Sequence, residues 1–277
     1  SRLINTTGDF KIRSQSLKLE TTDAKEYIRC TADQDVKLFY NNVQKFFTTT
    51  TGAKVEGALV IENAGYGALT VKNNDDSADG AYIILSNDSA SPADNDVLGL
   101  VNFKGKDSGG SETGYATIRA ISTDVTDGSE SADITFGTRH NNSFGERMRI
   151  DSSGRLLLGH TSDIGFGFRQ QLVGTDGNTS SSSQMRFTAS ASGSTFVLAK
   201  SRNGTPGSKT IVQSGDNLGE IQFRGDDGVD YLSIASSIKG EVDGTPGSND
   251  MPGRLVFSTT ADGAASATER MRIDSSG

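Results

Sequence analysis

Two clusters of carboxylates are the residues in this sequence that most suggest chemistry. The first cluster comprises Asp124, Asp127, Glu130 and Asp133, and the second comprises Asp226, Asp227 and Asp230. Glycoside hydrolysis uses two carboxylates roughly 5–10 Å apart, so a depolymerase that cleaves surface polysaccharide is one hypothesis. Both clusters lie among Gly and Ser in predicted turns, where Asp is common, and the matching segments of the internal repeat do not keep the same acids. We therefore interpret them as solvated turns.

The two histidines offer a second possible chemistry, because a Ser/His/Asp triad needs an imidazole beside a serine and an acid. His140 precedes Asn141-Asn142 in a predicted turn, and His160 follows Gly159 far along the chain. Surface or packing roles are predicted for both side chains.

Three short motifs resemble ligand sites. Residues 75–80 match the first half of an EF-hand loop, but Ser86 stands where the bidentate Glu belongs and no flanking helix is predicted. We interpret them as a turn, with another type of calcium site as the alternative. Residues 224–226 spell Arg-Gly-Asp at a predicted strand end, and residues 165–170 lack the last glycine of the dinucleotide pattern. The sequence thus predicts no catalytic, cofactor-binding or metal-ligating residue.

The elements that would position any site are organised by an internal repeat. Residues 146–154 read Glu-Arg-Met-Arg-Ile-Asp-Ser-Ser-Gly and recur unchanged at residues 269–277. Looser matches lie upstream: 98–105 with 218–225, 115–118 with 231–234, 134–136 with 255–257, and 82–85 with 196–199. Such repetition is typical of shafts and arrays, in which each module supports its neighbour.

The repeat divides the chain into three predicted segments. We expect an N-terminal β shaft segment at residues 1–57, a first β repeat at 58–157 and a second at 158–277. An apolar strand follows Gly154 in the first copy, whereas the second copy stops at Gly277. We expect the chain to be a piece of a longer polypeptide.

Composition excludes several classes of protein. The chain of 277 residues carries 27 Lys and Arg against 35 Asp and Glu, and a net charge of −8 disfavours nucleic acid and anionic membranes as partners. No apolar run approaches the roughly 18 residues of a membrane span, so membrane insertion is not expected. The single cysteine, Cys30, excludes an intrachain disulfide and is interpreted as a small apolar residue in a strand.

Alternation of apolar and polar residues predicts short strands with one buried face, as at Phe10 and Ile12 and at residues 36–40. Ile28, Leu38, Phe47 and Val55 recur at the spacing of one strand plus one turn. Asn41-Asn42 predicts a tight turn. No segment shows helical spacing, so an all-β fold with little or no helix is predicted.

An open stack of such strands leaves exposed edges, and three chains around one axis would pair those edges and bury a shared apolar seam. We therefore predict an elongated, parallel homotrimeric fibre of repeated short-strand modules. The predicted seam residues are Phe103, Ile118, Phe136, Ile150, Phe223, Ile234, Phe257 and Ile273.

Two blocks carry a resemblance to a known family. Residues 37–57 resemble the shaft segments of bacteriophage tail fibres, and residues 146–159 are similar to another module of those fibres, particularly in phages of aquatic bacteria. The resemblance implies a homotrimeric virion fibre, made in the host cytoplasm and extracellular in use. It implies other tail or baseplate proteins and a host cell-surface glycan or protein receptor as partners. In related proteins a self-cleaving chaperone domain often follows such modules.

The resemblance implies a structural protein and not an enzyme. Two alternatives stay open from the sequence: a tailspike depolymerase acting on host polysaccharide, and a bacterial trimeric adhesin or appendage with the same architecture.

Overall fold

A computed structural model describes residues 16–31, 35–61, 69–74 and 80–277 of the chain. Every regular element within these ranges is a β-strand, which confirms the predicted all-β class. None of the described segments forms a helix long and apolar enough to cross a bilayer. The chain divides into two compact units, Ser1–Ile83 and Ile84–Gly277. The strand predicted at Phe10 and Ile12 lies outside the described residues.

The first unit contains a five-stranded antiparallel meander in chain order. Its strands are β1 (Ser16–Glu20), β2 (Glu26–Thr31), β3 (Val36–Tyr40), β4 (Val43–Thr49) and β5 (Gly52–Val55). Asn41 and Asn42 connect β3 to β4 with φ angles of 51° and 61°. Asn tolerates this left-handed region better than most residues, so the predicted tight turn is confirmed.

One face of this meander carries an apolar row that crosses all five strands. The residues opposite one another are Leu19, Ile28, Leu38, Phe46 and Val55. Phe47, which sequence spacing grouped with Ile28, Leu38 and Val55, lies outside this row and pairs with Lys37 and Lys54. A β-bulge between Leu38 and Phe39 shifts the register, so sequence spacing alone misplaces the residue by one. Cys30 lies in a strand between Leu17 and Val36, as predicted.

The second unit contains two sheets. The first consists of β6 (Val97–Lys106), β7 (Glu112–Asp124), β8 (Ser131–His140), β9 (Ser143–Ile150), β10 (Leu156–Leu158) and β11 (Gln170–Leu172). Its strands follow chain order and are antiparallel except for the parallel pair β10–β11. The second sheet is an antiparallel meander of β12 (Asn217–Arg224), β13 (Ile234–Val242), β14 (Gly253–Thr259) and β15 (Thr268–Ile273).

The strand registers show that β6–β9 and β12–β15 are two copies of one four-stranded block. In the first copy one cross-strand row is Val101, Ile118, Phe136 and Met148. In the second copy the matching row is Ile221, Ile238, Phe257 and Met271. The sequence match of residues 115–118 with 231–234 was therefore wrong: Ile238 is the equivalent of Ile118. The shared Tyr-x-x-Ile letters suggested the match, whereas strand pairing decides the register.

Candidate subunit interface

The two copies present equivalent apolar faces. In the first sheet the large side chains of this face are Val101, Phe103, Ile118, Ile134, Phe136, Met148 and Ile150. In the second sheet they are Ile221, Phe223, Ile238, Leu255, Phe257, Met271 and Ile273. Most of them are half-exposed, and Phe223 reaches 53% exposure. A sheet face this apolar is normally covered, so these faces lack their packing partner in the single chain.

The opposite face of each sheet is polar yet better covered. In the first sheet Thr135 is 2% exposed beneath Arg119, whose Nε lies 3.4 Å from the Thr135 hydroxyl. Arg149 forms an ion pair with the buried Asp133 and donates to Glu146 from Nε at 2.7 Å. The hydrogen bonds that Arg149 donates, above all to Glu146 and also to Asp133, raise the pKa of its guanidinium against the lowering effect of burial. Long arginine side chains thus cover the polar face.

A glycine in each copy provides space for a leucine over the apolar face. A Cβ atom on Gly99 would lie 2.8 Å from the Cβ of Leu85, and one on Gly219 would lie 2.4 Å from the Cβ of Leu198. Leu85 and Leu198 are therefore equivalent. The alignment of residues 82–85 with 196–199 paired Leu85 with Ala199 and was wrong by one residue. Both leucines belong to segments that form no strand in the described chain, although the matching blocks of the repeat were predicted to be strands. A strand needs a neighbouring edge, and no described segment supplies one.

The residues that recur unchanged form the end of a strand and a tight turn. Asp151 accepts a hydrogen bond from the Ser153 amide at 3.0 Å, and Asp274 accepts one from the Ser276 amide at 2.8 Å. Gly154 has a φ of 73°, in the region that favours glycine. Arg155 donates to Asp151 at 2.7 Å, and its hydrogen bonds lower the pKa of that carboxyl against the raising effect of burial. The last four residues of the motif thus form the same glycine-ended turn in both copies.

Seven of the eight predicted seam residues lie on the apolar faces. The exception is Ile234, because a β-bulge between Phe223 and Arg224 pairs it with Arg224. Ile234 instead lines a groove with Glu220 and Ser237 on the polar side of the sheet. Ile238 occupies the position for which Ile234 was predicted.

Five of the seven residues of the carboxylate clusters lie in connections between strands, as predicted, whereas Asp124 is the last residue of β7. Asp124 accepts from the Thr126 amide at 2.8 Å, and Asp227 accepts from the Val229 amide at 2.9 Å. These backbone hydrogen bonds lower the pKa of both carboxyls. Asp133 was wrongly assigned to a turn: it lies in β8, is 4% exposed and accepts from the Ser152 amide at 2.8 Å. The structure places the clusters at strand ends and does not assemble them into one site.

The histidines lie apart from these clusters. His140 is exposed at the end of β8, and His160 has both ring nitrogens buried without a hydrogen-bond partner. Of residues 75–80, interpreted above as a turn, all but Gly80 lie outside the described residues. Among the residues that the structure describes, no group of His, Cys, Asp and Glu is arranged to hold a metal ion. Asp226 accepts from the Gly228 amide at 2.8 Å, which confirms the strand-end turn after Arg224.

The arrangement of repeated meanders has a counterpart among solved structures. The chain shares its fold with a phage tail fibre. It is similar to the carboxy-terminal domain of the bacteriophage T5 L-shaped tail fibre, with a TM-score of 0.53 and 17% sequence identity over 80% of this chain and 89% of that chain. This confirms, at the level of structure, the resemblance to phage tail fibres that the sequence suggested.

A second structure contains the same bacteriophage T5 domain with its intra-molecular chaperone domain. The TM-score is 0.56 at 17% identity, and the match covers 80% of this chain and 61% of that longer chain. No protein-family model matches the sequence. No curated protein matches it either. The similarity of this chain to the phage tail fibre domain is therefore a similarity of fold.

Proposed function

We propose that this chain is a non-enzymatic structural segment of a phage tail fibre. In this proposal it assembles as a parallel homotrimer, extends from the virion and presents a surface that binds the host. Its partners are two further copies of itself, other tail or baseplate proteins, and a receptor on the host surface. The observation that carries the proposal is the apolar face that recurs in both copies of the repeat and stays half-exposed in the single chain.

The size of this apolar surface supports a permanent assembly. Full burial of one large apolar side chain is worth about 1.5–3 kcal/mol, so covering some ten half-exposed ones is worth roughly 10 kcal/mol per chain. Losses of translational and side-chain freedom offset part of this gain. Among the hydrophobic residues described, the buried ones are few: Leu157, Val212, Val242 and Val256. A subunit with so little core of its own depends on its neighbours for stability.

The unpaired segments support an intertwined arrangement. The backbone around Leu85 and Leu198 belongs to no strand of the described chain, and each leucine already lies against its sheet at a glycine. An edge from a second chain would satisfy the free amides and carbonyls of these segments. Three parallel chains would supply such edges at the same level along the axis, which is the arrangement we propose.

The mass of the full chain in solution tests this proposal. Light scattering should give three times 29.2 kDa, and sedimentation velocity should give a high frictional ratio. A stable monomer of 29.2 kDa would overturn the shared-interface proposal. Antibodies raised against the chain should label fibres on virions, and labelling of bacterial appendages instead would favour the adhesin alternative.

A further inference from the structure

A groove with mixed chemistry lies on the polar side of the second sheet. Its volume is about 580 Å³, and it is lined by Phe166, Phe168, Glu220, Gln222 and Arg224. The two phenylalanines come from the loop that follows the first repeat, and the three polar residues come from β12. None of the five lining residues belongs to the apolar faces described above.

The loop that carries the phenylalanines is held by one carboxylate. Asp163 accepts hydrogen bonds from the Gly165 and Gly167 amides at 3.3 and 3.2 Å. It also accepts from Gln171 at 2.7 Å and from Arg155 at 2.7 Å. Gly167 has a φ of 64°, which brings the side chains on either side of it to the same face of the loop.

The loop thereby presents an aromatic platform. The rings of Phe166 and Phe168 are stacked, with centroids 5.2 Å apart and an interplanar angle of 5°. Tyr231 packs against Phe166 at a tilt of 45°, with its centroid 5.8 Å from that of Phe166. Phe168 is 56% exposed and lines the groove, so the side of its ring that faces away from Phe166 is available to a ligand. The stacking with Phe166 holds the Phe168 ring in place.

A polar edge borders this platform. Gln222 donates to Glu220 at 3.0 Å and accepts from Arg224 Nε at 2.9 Å, which fixes all three side chains in one row along β12. The guanidinium of Arg224 also lies over the Phe166 ring, 5.9 Å from its centroid. The row offers a carboxylate acceptor, an amide and a guanidinium donor at successive positions.

We propose that this groove binds a pyranose unit of a host-surface polysaccharide. A pyranose has an apolar C–H face that stacks on aromatic rings and a rim of hydroxyls that need both donors and acceptors. The exposed ring of Phe168, held by its stacking on Phe166, matches the face, and the Glu220–Gln222–Arg224 row matches the rim. This inference rests on the proposed function and specifies the chemical class of the receptor.

The groove is suited to binding and not to cleavage of the polysaccharide. Glycosidases place two carboxylates on either side of the scissile bond. Glu220 is the only carboxylate among the five lining residues, and it is engaged by Gln222.

The position of the groove is compatible with the proposed trimer. Glu220, Gln222 and Arg224 alternate along β12 with Ile221 and Phe223, so the two sets point to opposite faces of the sheet. Covering the apolar face with neighbouring subunits leaves the groove open to solvent. One groove per subunit would give three per fibre, which raises the avidity for a repetitive polymer.

Binding of the full chain to an array of purified bacterial O-antigen and capsular polysaccharides tests the proposal. We expect binding to at least one polysaccharide and at least a tenfold loss of apparent affinity in Phe168→Ala. Phe187→Ala is the matched control, because Phe187 is 92% exposed and lies outside the groove. Gln222→Ala, which removes the central amide of the polar row, should weaken binding in the same way.

The mass of each sample separates this proposal from that of the trimer. A wild-type trimer that binds no polysaccharide, or that binds only a purified outer-membrane protein, would overturn the groove proposal and leave the fibre intact. Equal binding by Phe168→Ala and wild type would also overturn it. Loss of the trimer in Phe168→Ala would show that the groove is a subunit contact, whereas a monomeric wild type would contradict the proposed function itself.

Discussion

Asp133 and Arg254 occupy equivalent positions on the third strands of the two repeats and carry opposite charges. Asp133 pairs with Arg149, and Arg254 pairs with Glu241 through Nη2 at 2.7 Å. These ion pairs thus differ between the copies, although the Glu146–Arg149 pair recurs as Glu269–Arg272 and the rows of the apolar faces match. The backbone of the module accepts either charge pattern as long as each buried charge keeps a partner.

Removal of Asp133 should destabilise the first sheet strongly. Asp133→Ala leaves Arg149 without one of its two carboxylate partners and leaves the Ser152 amide without its acceptor. We expect a loss of about 3–5 kcal/mol, typical of breaking a buried ion pair, in denaturant unfolding at fixed protein concentration. Asp127→Ala, in an exposed turn, is the control. Equal midpoints for the two variants would contradict this role of Asp133.

A charge on the apolar face should prevent assembly. Phe223→Asp places a carboxylate where the proposed trimer buries an aromatic ring, and we expect light scattering to show monomers. Gln222→Asp, one residue away on the opposite face, should remain trimeric. A normally assembled Phe223→Asp protein would show that the interface lies elsewhere.

A methyl group on Gly219 should disturb the contact with Leu198. The added Cβ would lie 2.4 Å from the Leu198 Cβ, so the extended segment or β12 must move. Overpacking of this kind costs about 1–3 kcal/mol, which denaturant titration would detect. At Gly225 a Cβ meets nothing within 4 Å, so Gly225→Ala should unfold at the wild-type midpoint. A Gly219→Ala protein as stable as wild type would mean that the segment yields freely.

The hairpin between β8 and β9 should depend on its two asparagines. Asn141 and Asn142 have φ angles of 45° and 62°, in the region where a β-branched residue is strained. Asn142→Val should therefore cost about 1–2 kcal/mol, whereas Asn142→Gly should be tolerated. Thermal unfolding of the two variants gives the comparison, and the same midpoint for both would rule out turn conformation as the reason for Asn.

Acid should destabilise the second repeat through Asp216. Arg202 donates two hydrogen bonds of 2.7 Å to this carboxylate and holds its pKa far below the usual 3.8. A carboxyl whose pKa is lowered by folding contributes stability above its unfolded pKa, and that contribution is lost as the pH falls below about 4. Thermal scans from pH 7 to pH 2.5 should show a smaller acid-induced drop for Asp216→Asn than for wild type. Asp262→Asn, in an exposed turn, should keep the wild-type profile.

The sequence was sufficient to predict the all-β class and the repeat, because alternation and the recurring nine residues are local signals. It was insufficient to predict the register of strand pairing. Phe47 was grouped with Ile28 and Leu38 although Phe46 lies opposite Leu38, and Ile234 was placed where Ile238 lies. Each of these strand pairs contains a β-bulge that has no clear sequence signature. The strands predicted around Leu85 and Leu198 have no partner within the described chain. The proposed trimer would supply that partner from a second chain.

The candidate groove was beyond sequence reasoning for a different reason. Phe166 and Phe168 were considered only as part of an incomplete dinucleotide motif, and Gln222 only as a strand residue. More than fifty residues separate the two sides of the groove in the chain, and only the folded structure brings them together. A Gly-Phe-Gly-Phe loop following an Asp was the one available signal that exposed rings might be displayed there.

The matching apolar rows have a consequence for how such fibres change in length. In the proposed trimer, a module with the same apolar face in each copy would make the same contacts with neighbouring chains, so a whole block could be duplicated or deleted without redesigning those contacts. The length of the proposed fibre, and with it the distance over which it reaches the host cell, would then vary by whole modules. The polar face would make no contact between chains in that trimer, so its ligand-binding residues could differ from one module to the next.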